Sequence, residues 1–474
     1  MKKLYCLFAL VLCCSCARVS EMVSENDNIG EDSTNWIEVV SVEDALSTLD
    51  AFLIDNDMIQ TKSGHNRAYS TVSTYYRDGV LTKSVSGEEL PTAYVVNFDD
   101  NEGFAVLGAN TAVPDVIAVT ESGTINPETL EVITPRDSVE CQSLFYDMDD
   151  SEIEYFNNHV IITPDSLFYS AEDEDYYVGS LNSDDMATAL IHQCIGVAYD
   201  HVLEGENGTG IGSGSGTGSG SGSGTVVQYN TKSPLLTYSW GQRSPYNRYC
   251  RRGFFKDKPA LTGCSSTAMA MIVAYNEFPQ SLTINGSTID YSGIKSASTI
   301  KYLSEPYVDQ IALLMGSIYN FVTKVATSGF TLITPRQIKL RMQEFGYTNV
   351  VKTDASSLTT SMISQISTML GADKPVFISA IPRGLCNWDS GHSWVVDGAK
   401  YSTNNTYLLH MNFGWNGNSN GYYATGSINP ARAAAYDNPS LVYSDEDYYY
   451  GWNFRIITYD VPTTRLEYTI DYSY

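Results

Sequence analysis

Five apolar positions, Val42, Ala45, Leu46, Leu49 and Phe52, recur at helical spacing and predict an amphipathic helix over 41–54. Ser41 can cap it, and Asp44 suits its first turn. The pattern then changes to short apolar runs, Thr92–Phe98 and Phe104–Leu107, which read as strands. Between them Asp99-Asp100-Asn101-Glu102-Gly103 reads as a hairpin turn. Its carboxylates lack the spacing of an EF-hand loop and read as solvated. Met186–Val202 is a second apolar helical stretch. From Gly205 to Thr225 the chain is nearly pure Gly, Ser and Thr, a flexible linker that a protease can reach.

After the linker the texture changes midway. Helical patterns dominate from Thr262 to about Leu370, over Cys264–Glu277, Tyr307–Val325, Pro335–Phe345 and Ser356–Leu370. Pro335 suits a first helical turn, and Pro279 follows the end of the first helix. From Lys374 onward strands dominate, at Pro375–Ala380, Ser393–Asp397, Tyr407–Asn412 and Gly421–Ala424. The fold class is therefore α+β, with a helical lobe followed by a β lobe and a smaller α+β unit ahead of the linker.

Charge divides the chain at the same place. Residues 1–225 hold 8 Lys and Arg against 38 Asp and Glu; residues 226–474 hold 20 against 17. The total of −27 argues against nucleic acid as a partner. An acidic front half is either simply soluble or docked on a mildly basic back half. The first residues read as an export segment. Met1-Lys2-Lys3 precedes the apolar run Leu4–Leu12, which is too short to span a bilayer. Ser15-Cys16 after that run resembles a lipoprotein box with Cys16 acylated, although Cys13 stands where such boxes carry Leu; an ordinary secretory cut near Ala17 is the alternative. The expected location is the cell envelope, with the back half released from it after processing.

Beyond the export segment five cysteines remain: Cys141, Cys194, Cys250, Cys264 and Cys386. None forms a Cys-x-x-Cys pair, so neither a zinc site nor any other cofactor is called for. A Cys250–Cys386 bridge stays open. Cys141 and Cys194 sit in apolar-leaning stretches that suit burial. Cys250 lies beside Arg251 and Arg252, but without a helix signal. Cys264 follows Gly263 and opens a run of good helix formers, where the helix N-terminus favours thiolate. Gly263 would let the backbone approach closely. His392, 128 residues later, stands at a strand mouth where its ring can face a thiol; His410 lies inside an apolar strand, where a packed structural role fits better. Asn412 could accept from one His392 nitrogen, or serve as a turn residue before Gly414. Trp415 could shield that bond or be plain core. Gln242 could add an oxyanion donor to the Cys264 N–H.

Together these residues resemble the streptopain family of papain-clan cysteine peptidases. The matching motifs are Gln242 with Pro245-Tyr246-Asn247; Gly263-Cys264 with Thr267-Ala268 and Ala270, leading to Tyr275 and Pro279; Gly391-His392 with Val395 and Asp397-Gly398; and Asn412 with Gly414-Trp415 and Gly417. Phe413 replaces a Trp of the last motif, and Met271 stands where the family often has Gln. The front half is similar, more loosely, to the family's inhibitory pro-domain in Tyr94–Asn97 and Gly103–Val106 through Pro114.

The resemblance implies a papain-like two-lobe domain over 226–474. It is preceded by a signal peptide over 1–16, an acidic tether and pro-domain over 17–204, and the linker over 205–225. It implies an endopeptidase made as a zymogen, with Cys264 as nucleophile, His392 as acid and base, Asn412 as orienter, and Gln242 as oxyanion donor. Partners would be protein or peptide substrates, the chain's own pro-domain, and the membrane through the lipid on Cys16. The rival readings are a non-enzymatic surface binding protein on a peptidase-like fold, or another papain-fold acyl transferase or amidase.

Overall fold

The computed structural model describes residues 37–60, 64, 66–77, 90–133, 187–188, 190–192, 194–195, 228–250, 260–298, 300–322, 325–326, 331–355, 358–382, 392–402, 405–425 and 452–471. The export segment with Cys16, the linker, Cys141, Cys386 and Gly391 lie outside the described residues.

In the front half, α1 (Val42–Asp55) starts where Ser41 Oγ accepts the Asp44 N–H at 3.1 Å, and it buries Ala45, Leu49, Phe52 and Leu53. Strands β1 (Tyr69–Tyr75), β2 (Ala93–Phe98), β3 (Phe104–Gly108) and β4 (Val116–Thr120) form an antiparallel meander. The acidic turn joins β2 to β3 as expected, with Asp100 at φ 57° and Gly103 at φ 111°. The short strands β5 (Thr124–Ile125) and β6 (Val132–Ile133) pair beside it.

The back half begins its helices at α2 (Cys264–Asn276). Every residue of α2 from Cys264 to Ala274 is buried, so this is a central helix rather than a surface one. A hairpin of β7 (Ser281–Ile284) and β8 (Ser287–Thr288) follows, then α3 (Tyr291–Ile294) and α4 (Glu305–Val322). The pair β9 (Val325–Ala326) and β10 (Thr331–Leu332) leads into α5 (Pro335–Glu344). A capping box of Thr334 and Gln337 starts α5, with Pro335 in its first turn.

Strand β11 (Thr348–Ala355) precedes α6 (Thr360–Gly371), whose N-cap is Thr359. This helix therefore starts later than the expected Ser356. Then come β12 (Val376–Pro382), β13 (His392–Tyr401), β14 (Tyr407–Asn412), β15 (Gly421–Ala424), β16 (Trp452–Asp460) and β17 (Glu467–Ile470), the last pairing in parallel with β7. Strand β13 runs past the expected Asp397. Its register shifts between Val396 and Gly398, and a Cβ on Gly398 would press within 3.1 Å of the Lys232 carbonyl and Pro234.

Ten strands form one antiparallel sheet in the order β1-β2-β3-β4-β15-β14-β13-β12-β16-β11. The front and back halves thus share a sheet, joined where β4 pairs with β15 through Thr120–Gly421, Val119–Tyr422 and Ala118–Tyr423. Gly421 is required there, because a Cβ would collide with the Val119 carbonyl. Phe52 of α1 meets the ring of Tyr422 edge-on at 5.6 Å across the same junction. Helix α2 packs against β12 and β13 of the shared sheet, as well as against α4.

Candidate active site

Four segments converge at the start of α2. Gly263 enters the helix at φ 78°, a conformation glycine adopts freely, so its role is the left-handed turn that delivers Cys264 to the first helical position. Cys264 carries a thiol and is only 2% exposed. The aligned N–H groups at that helix end favour negative charge on its sulfur, and no acidic residue occupies the first turn. The Ser265 and Ser393 hydroxyls lie 2.9 Å apart, so the residues following Cys264 and His392 touch. This contact brings the head of β13 to the head of α2.

The loop after β14 is the third segment. Gly414, at φ 73°, lies against Thr267 in the first turn of α2; a Cβ added there would stand 3.1 Å from Thr267 Cγ2. The fourth is the Gln242 loop. The Gln242 carbonyl accepts the Thr262 N–H at 3.2 Å, and the Asn416 N–H donates to the Trp240 carbonyl at 3.1 Å. Tyr246 donates to Asn416 Oδ1 at 2.6 Å, tying the Gln242 loop to the loop after β14. Gln242 itself is fully buried, and neither its Oε1 nor its Nε2 has a partner among the described residues. A buried amide with both ends unsatisfied is costly, which marks Gln242 as a candidate donor to a bound group.

His392 is fully buried among Trp394, Phe413 and Trp415, with ring centroids at 5.9, 6.1 and 6.2 Å. That apolar cage pushes its pKa down to about 4, against the opposing pull of the Phe413 carbonyl. His392 Nε2 lies 2.8 Å from that carbonyl. A carbonyl only accepts, so Nε2 carries the proton and Nδ1 holds the lone pair. Nδ1 is buried without a hydrogen-bond partner among the described residues, which leaves it available to take a proton.

The expected bond from His392 to the Asn412 side chain is not formed. Asn412 Nδ2 donates to the Tyr238 carbonyl at 3.1 Å, and Oδ1 accepts the Gly414 N–H at 3.3 Å. The amide is consumed by the turn, and the next residue's backbone orients the imidazole instead. A backbone carbonyl has no side-chain signature, so residue type alone could not have pointed to it. Trp415 is 1% exposed and lies nearly parallel to the His392 ring. Phe413 forms the wall where a Trp was expected, and packs on Trp394 and Tyr423 at 5.7 and 5.8 Å.

Among the described residues, the two other cysteines are buried thiols. Cys250 is a buried thiol packed with Ala260 and Tyr319, and burial pushes its pKa up, away from thiolate. Cys194 is likewise a buried thiol. His410 is buried, but it is more than packing. Its Nδ1 lies 2.6 Å from Asp397 Oδ1, and its Nε2 lies 3.6 Å from Glu121 Oε1 of the front half. Burial opposes its charge, but the two carboxylates raise its pKa to about 9. Among the described residues, no group of three His, Cys, Asp or Glu side chains is arranged to hold a metal ion.

Residues 240–423 match the model of the Peptidase C10 family. Among solved structures, the chain is similar to a mutant fragment of prointerpain A from Prevotella intermedia. Identity is 16%, covering 77% of this chain and 94% of that one, with a TM-score of 0.43. It is also similar to the active wild-type interpain A cysteine protease of the same organism. Identity there is 21%, over 47% of this chain and 93% of that one, with a TM-score of 0.36. No curated protein matches. The family match takes in the Gln242 loop, the Cys264 helix, the His392 strand and the Phe413–Trp415 loop, and over residues 240–423 the chain is similar to the C10, or streptopain, family of cysteine peptidases.

Proposed function

We propose that the chain is an exported cysteine endopeptidase made as a zymogen, with Cys264 and His392 as its catalytic pair. The observation that supports this reading is the convergence on the α2 N-terminus of the His392 strand, through Ser265 and Ser393, and of the Gln242 loop, through Thr262. His392 Nδ1 takes the Cys264 proton, and the thiolate attacks the scissile carbonyl carbon. The resulting oxyanion accepts from the Cys264 N–H and from Gln242 Nε2. The imidazolium returns its proton to the leaving amine as the C–N bond breaks. Water, deprotonated by His392, then attacks the thioester, and the acid product leaves as the thiol reforms. Replacing Gln242 by Ala is expected to lower kcat on the order of 10²–10³-fold with little change in KM. Steady-state kinetics on a fluorogenic peptide check this, and an unchanged kcat would remove Gln242 from the mechanism.

Latency follows from the same site. Cys264 and His392 are at most 2% exposed in the full chain, which supports a latent precursor. The front half also holds the loop beside the site: Ser122 Oγ donates to the Gly417 carbonyl and accepts the Ser419 N–H. Release requires a cut, and the fold limits where it falls. Tyr229, Asn230, Lys232 and Leu236 are hydrogen-bonded to Tyr401, Ser367, Ala399 and Asp397 of the back half. A cut near Lys232 would break the domain's own contacts, whereas one in Gly205–Thr225 would not. N-terminal sequencing of the mature enzyme is expected to start upstream of Tyr229; a mature chain starting after Leu236 would contradict this. Acylation of Cys16 would tether the precursor to the membrane, and the cut would free the peptidase domain from it.

A further inference from the structure

The residue that orients His392 is a backbone carbonyl, so something must hold that backbone. Two asparagines do so from opposite ends of the loop. Asn412 Oδ1 accepts the Gly414 N–H, which lies in the same peptide plane as the Phe413 carbonyl. Asn420 Oδ1 accepts the N–H of Phe413 itself at 3.0 Å. Asn420 is 2% exposed, and its Nδ2 donates to Ser239 Oγ at 3.0 Å. Asn412 Nδ2 lies 3.4 Å from the same hydroxyl. Ser239 is thus the hub from which both amides are aimed, and the peptide units on either side of Phe413 are pinned.

We propose that Asn420, with its amide fixed by Ser239, is a positioning residue for His392, acting through the backbone of Phe413. The inference rests on the reading of His392 as the proton-transfer group. Asn420 touches neither the imidazole nor any reacting atom. It sets the direction of the carbonyl that fixes which ring nitrogen carries the proton and how the ring lies. The same residue is gripped by the front half, since its backbone carbonyl accepts the Glu121 N–H at 2.9 Å.

The test compares Asn420→Ala, Asn420→Asp and Ser239→Ala with the wild-type chain after self-processing, by kcat, KM and the pH profile of kcat/KM. Wild-type hydrolysis that Cys264→Ala abolishes and His392→Ala cripples establishes the underlying reading separately; without it, that reading fails whatever Asn420 does. Asn420→Ala is expected to lower kcat about 100-fold with KM nearly unchanged. Its acid limb, set by protonation of His392, should move to lower pH, because the imidazolium loses a well-placed acceptor. Asn420→Asp keeps an oxygen for the Phe413 N–H and is expected to recover most of the rate. Ser239→Ala should give a smaller loss with the same displacement of the limb. Should Asn420→Ala not fold, Asn420→Asp and Ser239→Ala decide the matter. A wild-type kcat and acid limb in Ser239→Ala, or in Asn420→Ala, would overturn the proposal, as would a loss in Asn420→Asp equal to that in Asn420→Ala.

Discussion

Cys264→Ala is expected to abolish peptide hydrolysis, with kcat falling on the order of 10⁵–10⁶-fold, as when the nucleophile of a catalytic unit is removed. The size follows from the absence of a substitute among the described residues. Ser265 donates to the Ile333 carbonyl and meets Ser393, so its hydroxyl is occupied with structure. Cys250 is buried elsewhere, with its thiol held protonated by its apolar surroundings. The same precursor should accumulate uncut if processing is autocatalytic. Casein hydrolysis and the size of the recovered chain measure both effects. Cys250→Ser serves as the control and is expected to keep the wild-type rate.

The second large effect is on stability. Asp397 is fully buried and holds His410 on one side while Oδ2 accepts the Leu236 N–H at 3.0 Å. Tyr422 faces His410 edge-on at 5.0 Å, and Glu121 approaches its other nitrogen from the front half. Asp397→Ala would leave a buried imidazole without its main counter-charge, and is expected to cost about 3–5 kcal/mol.

The pH dependence has a definite sign. The folded state holds His410 protonated up to about 9, above the unfolded value near 6.5. Its contribution, on the order of 3 kcal/mol, is complete below the unfolded pKa and is lost as pH rises through 9. His392 acts oppositely. Its folded pKa near 4 means that the unfolded chain binds the proton first, so stability falls as pH drops from about 6.5 toward 4. Urea denaturation at pH 5, 7 and 9.5 should show a maximum near neutrality. The alkaline loss should be absent in Asp397→Ala. A wild-type profile flat between pH 7 and 9.5 would contradict the charge assignment at His410.

Much of the arrangement was legible because local chemistry and tertiary structure agree. Gly263-Cys264 before a run of Ala, Ser, Thr and Met specifies a helix start, and α2 begins at Cys264. Ser41, Pro335 and the acidic turn after Phe98 mark element boundaries by capping and turn chemistry that require no partner strand. What escaped depends on distant neighbours. β11 sits at a sheet edge with mixed burial, so its residues lack a clean two-residue alternation. The junction of β4 with β15 joins segments about 300 residues apart, and only Gly421's need for space hints at it. His410 read as packing because its partners, Asp397 and Glu121, come from another strand and from the other half of the chain. Asn412 was the nearest side chain that could orient His392 on paper; the folded loop gives that task to the Phe413 carbonyl and turns the amide to Gly414.

The most direct measurement is chemical trapping of the intermediate. The processed enzyme is mixed with a slowly deacylating peptide ester, quenched in acid, digested and mapped by mass spectrometry. The account predicts an acyl mass increment on the peptide bearing Cys264, absent in Cys264→Ala and strongly reduced in His392→Ala. Turnover of the ester with the increment on Cys250 or Ser265, or with no enzyme-bound acyl group at any time, would contradict it.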